Sequence, residues 1–226
     1  MTDIVLKEMV KCGVHFGHRT HRWNPKMRLY LYGARQNVHI FDLKKTAQKL
    51  LEALEFLSQA VSQGKSILFV GTKPQCRPLL QKIHEESGQP VVTDKWIPGL
   101  LTNFKTIKKR IDYFKELKDA AASGELEKYT KKEQVKLRKK IQNLSAAFTG
   151  IEDMEDLPDM VFITDIVRDH IPVLEARRLK IPVIAIVDSN ADPDLANYVI
   201  PANDDAVKSL EYILNLVGEA VTTKKK

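Results

Sequence analysis

Five cations and one indole set the first expectation. Arg19, Arg22, Lys26, Arg28 and Arg35 fall within residues 12–43, where Asp42 is the only acid, and Trp23 stands among them. Guanidinium and ammonium groups meet phosphates, and an aromatic face beside them stacks on unpaired bases. The pattern suits RNA; a solvated basic loop with Trp23 packed inward is the plainer alternative. Asn24-Pro25 forces an extended backbone, so Trp23 is expected in a loop and not on a helix. His15, His18 and His21 recur at every third position. With a distant carboxylate from Asp188, Asp204 or Asp205 they could hold zinc. Neighbouring cations oppose such a site, so the imidazoles are expected to pack against backbone and RNA, with neither metal nor cofactor.

Catalytic signatures are missing. After the apolar run 67–70, the loop Gly71-Thr72-Lys73-Pro74 has neither a dinucleotide-binding glycine triplet nor a phosphate loop. Lys73 and Arg77 offer phosphate contacts without a glycine cradle. No Ser sits in a nucleophile elbow. Asp165 and Asp188 end apolar runs and could hold Mg²⁺ as in phosphotransfer. The sequence displays no accompanying Lys for them. A cytosolic nucleotide- or metal-dependent enzyme is thus the alternative to an RNA-binding protein, and a free protein-binding adaptor is the third reading.

The cations are placed unevenly. Residues 11–49 carry nine Lys/Arg against Asp42 alone, and residues 104–141 carry thirteen against six acids. Residues 150–221 reverse the balance, with fifteen acids against five bases, so the net charge of +7 hides a strong asymmetry. That asymmetry predicts a polyanion on the basic side, with the acidic half turned to protein or solvent. Cys12 and Cys76 are too few for a disulfide framework, and free thiols suit a reducing cytosol. Asp3, Lys7 and Glu8 interrupt the amino-terminal apolar run, which excludes a signal peptide. No run approaches the roughly 18 apolar residues of a membrane span.

These residues must be positioned by recognisable elements. A short amphipathic helix is expected over 3–12, strands over 27–32 and 38–41 with a turn at 33–37, and a helix capped by Asp42 that runs to 63. Strand and helix then alternate: strand 67–70, helix to 87, strand 90–93, strand 160–164, helix 170–179, strands 182–187 and 198–200, helix 205–217. That rhythm means α/β architecture, a parallel flavodoxin-like sheet with helices on both faces. Residues 105–148 break it. Ile107, Ile111, Phe114 and Leu117 form one helical stripe, and Leu137, Ile141, Leu144 and Phe148 another. Thr130 with Glu133 makes a capping box for the second helix. The expectation is a projecting antiparallel helical hairpin at 105–148, inserted in an α/β domain of residues 1–104 and 149–221, with a basic tail at 222–226.

Several stretches together resemble one family. Gly13-Val14-His15-Phe16-Gly17-His18, Trp23-Asn24-Pro25-Lys26-Met27 and the run from Tyr32 to Leu43 are similar to the amino-terminal signature of the ribosomal protein S2 family. Trp96, Gly99 and Leu101-Thr102-Asn103 match a second motif. Pro158, Asp159, Asp165, Glu175 and Ile181-Pro182 match a third, and residues 184–205 the last. The chain departs from the family pattern at Pro98, Thr149 and Ala202, which predicts loops of different shape there. The resemblance implies a bacterial-type structural protein of the small ribosomal subunit, monomeric within the ribosome. It implies binding to 16S rRNA, help in recruiting ribosomal protein S1, neighbours among small-subunit proteins, and no membrane. The basic loop, the Lys73/Arg77 loop, and residues 96–103 with Thr102 and Asn103 would face RNA, as would Lys105, Lys108 and Lys109 beyond them. Recognition would be by shape and phosphate.

Overall fold

A computed structural model describes residues 4–222; the tail expected beyond Thr222 lies outside them. Its centre is a parallel sheet of β4 (Ile67–Val70), β5 (Val91–Val92), β6 (Met160–Ile163), β7 (Val183–Val187) and β8 (Tyr198–Pro201). The spatial order is β5-β4-β6-β7-β8, the flavodoxin-like order. Every residue of β4, β6 and β7 is buried, as continuous apolar runs require of a sheet covered on both faces. Alternation divides the core. Ile67, Phe69, Phe162, Ile184 and Ile186 face one cluster with Leu50, Leu57, Leu80, Ile213 and Val217. Leu68, Val70, Val161, Ile163, Ala185 and Val187 face the other.

The covering helices are α1 (Leu6–Lys11), α2 (Leu43–Ser62), α3 (Arg77–Ser87), α6 (His170–Arg178) and α7 (Val207–Val221). Asp42 caps α2 by accepting from the Lys44 N–H at 3.1 Å, and Gly88 ends α3 in the left-handed region. Element types match the sequence reading throughout this part, and ends differ by a few residues.

Residues 105–148 form α4 (Phe104–Ala122) and α5 (Lys131–Phe148), joined through Ser123, the left-handed Gly124 and a 3₁₀ turn. The Thr130–Glu133 capping box is present. Burial fades along the pair. Ile107, Ile111, Phe114 and Phe148 belong to the second core cluster, whereas Leu137, Ile141 and Leu144 are half-exposed. The base of the pair is therefore part of the core, and only the distal turns bury a narrow seam. Gly150 makes this docking possible, because a Cβ there would lie 2.3 Å from the Val91 carbonyl oxygen.

The amino-terminal stretch folds into a second sheet, of β1 (Phe16–Arg19), β2 (Leu31–Arg35) and β3 (Val38–Phe41), ordered β1-β3-β2 and antiparallel. The sequence carries no signal for β1: Phe-Gly-His-Arg has no alternation and a glycine inside it. The strand expected over 27–32 is mostly a 3₁₀ helix, Pro25–Tyr30, because the Asn24 side chain accepts from the Lys26 N–H and Pro25 starts the turn. Gln36 and Asn37 both take positive φ, 50° and 61°, as a tight two-residue hairpin turn requires.

Candidate nucleic-acid interface

The small sheet is seated on the carboxyl ends of the large one. The Asn24 N–H donates to the Ser189 carbonyl at 2.7 Å, and the Asn203 N–H to the Val14 carbonyl at 3.1 Å. The His18 N–H donates to Ser189 Oγ at 2.7 Å. Gly17 is needed for this approach, since a Cβ there would sit 2.7 Å from Ser189 Oγ. The sheet carries four cations outward. Arg19 and Arg35 stand opposite Val38 from the two flanking strands, so they share a face. Arg22 and Arg28 sit on the adjoining 3₁₀ turns. All four are exposed, and none has an acid partner among the described residues. Trp23 lies in extended backbone as expected, half-buried, with its ring 5.0 Å from His39.

Three groups expected at RNA are engaged inside the protein. Lys26 forms ion pairs with Asp192 at 2.8 Å and Asp194 at 2.7 Å. The Asn24 side-chain oxygen is a helix cap. Arg77 is paired with Asp94 at 2.5 Å.

Lys73 needs a full correction. It is buried, with its ammonium against Asp165 Oδ2 (2.9 Å), Asp204 Oδ1 (2.9 Å), the Asp204 carbonyl (2.9 Å) and Asp205 Oδ1 (2.6 Å). Such a lysine does not reach RNA phosphate. It is also the lysine beside Asp165 that the sequence did not reveal. Burial works against its charge, but Asp204 and Asp205 outweigh burial and hold its pKa above the ordinary value. Asp204 is shifted at its own expense. Burial and the nearby charges of Asp188 and Asp165 push its pKa up to about 8. Asp169 is raised by burial too, while its carboxylate accepts from the Thr72 N–H and hydroxyl. The strand ends where this fold usually admits a ligand are thus closed by an internal cation and roofed by β1.

Of the six candidate metal ligands, three converge. His18, Asp188 and Asp204 present ligand atoms within 4.8 Å of one another. An imidazole with two carboxylates suits a borderline divalent cation such as zinc. His18 Nδ1 already lies 3.1 Å from Asp188, and that hydrogen bond raises the imidazole pKa. Asp205 lies 3.4 Å from His18 Nε2 but is engaged by Lys73. His15 is apart from the cluster, with its ring against Phe16. A pocket of about 410 Å³ opens beside the cluster, lined by His18, Arg19, His21, Arg22, Asp188 and Asp205.

The 96–103 loop is ordered by one carboxylate. Glu175 on α6 accepts from Trp96 Nε1, the N–H groups of Gly99, Leu101 and Thr102, and the Thr102 hydroxyl, at 2.8–3.1 Å. Burial opposes its charge, but these donors prevail and keep its pKa below the usual carboxylate value. Thr102 therefore serves the fold first. Lys108 is turned to the Met154 carbonyl and Glu155, both at 3.0 Å. Asn103, Lys105 and Lys109 remain exposed at the start of α4, and no described acid pairs with either lysine. The sequence marked Glu175 only as a motif position; its partners lie more than 70 residues away, beyond any local signal.

Known proteins share this chain's pattern over nearly its whole length. A family model described as Ribosomal protein S2 matches residues 9–223. The chain is 44% identical to the small ribosomal subunit protein uS2 of Fusobacterium nucleatum over 222 residues, covering 98% of this chain and 90% of that one. It is 43% identical to the uS2 of a Nitratiruptor species, covering 98% and 83%. With the uS2 of Petrotoga mobilis the identity is 44%, over 100% and 78%.

Proposed function

Since the chain belongs to the ribosomal protein S2 family, and is thereby a structural protein of the small ribosomal subunit and not an enzyme, we propose that it binds 16S rRNA through its amino-terminal sheet. Arg19, Arg22, Arg28 and Arg35 are the contacts, with Trp23 beside them and Asn103, Lys105 and Lys109 as a second patch. One observation carries the reading: Arg19 and Arg35 on the small sheet and Arg22 and Arg28 on its adjoining turns are exposed with no acid partner among the described residues, whereas Lys26, Lys73 and Arg77 are paired within the chain. Guanidinium groups left free in this way suit phosphate, and they read RNA by backbone and shape.

The salt dependence of rRNA binding tests this. Changing the four arginines to Ala should flatten the slope of log K against log salt by about 0.7–0.9 per lost phosphate contact. An unchanged slope in a folded variant refutes the proposal.

Recruitment of ribosomal protein S1 is the second part, supported by the family resemblance. Subunits reconstituted without this protein should lose S1 and regain it on its addition. The protein acts there as a monomer among other small-subunit proteins. Sedimentation separates this from a free adaptor, since a subunit component cosediments with small subunits at moderate salt. Among the described residues no helix is long and apolar enough to cross a membrane.

A further inference from the structure

The loop held by Glu175 has the chemistry of an anion site with its anion built in. Three backbone N–H groups, one indole N–H and one hydroxyl converge on two carboxylate oxygens. Converging amides of this kind ordinarily collect phosphate or another external anion. Here the anion comes from α6, and Glu175 is itself buried. Trp96, Leu100 and Leu101 point into the second core cluster, and Gly99 takes a φ of +89° that an L side chain rarely adopts.

The loop also sets the start of α4. The Asn103 N–H donates to the Gly99 carbonyl at 2.8 Å, and the Asn103 carbonyl accepts from Thr106 and Ile107. The Asn103 side chain makes no cap on α4. The first turn of α4 is thus held by the loop on one side and by Ile107 in the second core cluster on the other, and Lys105 and Lys109 ride on that turn and the next.

We propose that Glu175 is a positioning residue for nucleic acid: it holds the 96–102 loop rigid and so fixes Asn103, Lys105 and Lys109 against rRNA. The proposal rests on the reading that these α4 residues meet rRNA. A flexible loop would leave the same two lysines to be ordered on binding, and the entropy of ordering is subtracted from affinity.

A double-mutant cycle tests it, with Glu175→Gln and Lys105→Ala/Lys109→Ala in the full chain. Binding to 16S rRNA is read as affinity and salt slope, and amide exchange is followed at Gly99, Leu101 and Thr102. The lysine pair should flatten the slope by about 0.7–0.9 per lysine. E175Q should speed exchange in the loop and weaken binding at an unchanged slope, because the lysines still reach phosphate once ordered. In the lysine-free background E175Q should cost nothing further. Equal loss in both backgrounds, or native affinity for E175Q alone, overturns the positioning role. A lysine pair with native affinity and slope overturns the α4 contact itself, which is a separate failure. Should E175Q not fold, Thr102→Val enters the same cycle. It removes one of the five donors and keeps the carboxylate, and the same outcomes decide.

Discussion

At the scale of single residues, Lys73 shows how much one buried ammonium can organise. It is held by four oxygens from Asp165, Asp204 and Asp205, three strand-end acids that would otherwise repel one another. Removing one partner of a buried ion pair typically costs about 3–5 kcal/mol, because the remaining charge is left unpaired. Lys73→Met should destabilise the protein by about that much in urea titration. The rRNA salt slope of the folded protein should stay unchanged, which separates an internal lysine from a phosphate contact. Glu175 makes a pH prediction at the same scale. Its folded pKa is lowered below its unfolded value. Its contribution is therefore fully present above the unfolded pKa and is lost as pH falls through the folded one. Relative to intrinsic exchange, the protection of the Gly99 and Thr102 amides should fall at acid pH, and E175Q should abolish that fall. Protection that falls equally in both proteins would refute the assignment.

At the scale of elements, α4 and α5 divide into a base and a tip. Ile107, Ile111, Phe114 and Phe148 pack with Leu68, Val70 and Val161 of the sheet. Lys118 also bridges to Glu152 at 2.9 Å, beyond the end of α5. We propose that the separable unit is the tip alone. Replacing residues 118–137 by a short Gly/Ser linker should leave a cooperative melt by circular dichroism. Replacing 107–147 should not, because truncating large core side chains costs about 2–5 kcal/mol each. A cooperative melt for the longer deletion would show that the base contributes little. Gly150 belongs with the base. A Cβ there meets the Val91 backbone, so a Gly150→Ala change should lower the melting temperature although the residue is only half-buried.

At the scale of the molecule, the acidic and basic parts of the chain are stacked together. At their join, acids of residues 150–221 meet cations of the basic stretch. Asp192 and Asp194 bind Lys26, and Asp188 and Asp205 flank His18. Asp192→Asn/Asp194→Asn should therefore release Lys26. Asn at 192 retains an oxygen that can accept from the residue 194 N–H. Once released, Lys26 should steepen the rRNA salt slope by about 0.7–0.9. A slope that flattens instead would show that the pair serves to hold the RNA-facing sheet in place.

The sequence by itself determined the elements of the large sheet and the charge. Ile67–Val70, Met160–Ile163 and Val183–Val187 are legible because a strand buried on both faces must be apolar at every position. The Asp42 cap and the Thr130–Glu133 box are legible because their partners lie within three residues. The concentration of cations was there too, nine Lys/Arg against Asp42 alone over residues 11–49. The tertiary structure alone decided which cations are free. Lys73 meets partners more than 90 residues away, Lys26 meets its own 166 and 168 residues away, and Glu175 reaches back more than 70. Electrostatic pairing depends on distance in space, and a folded sheet brings together strand ends whose separation along the chain carries no trace of their contact.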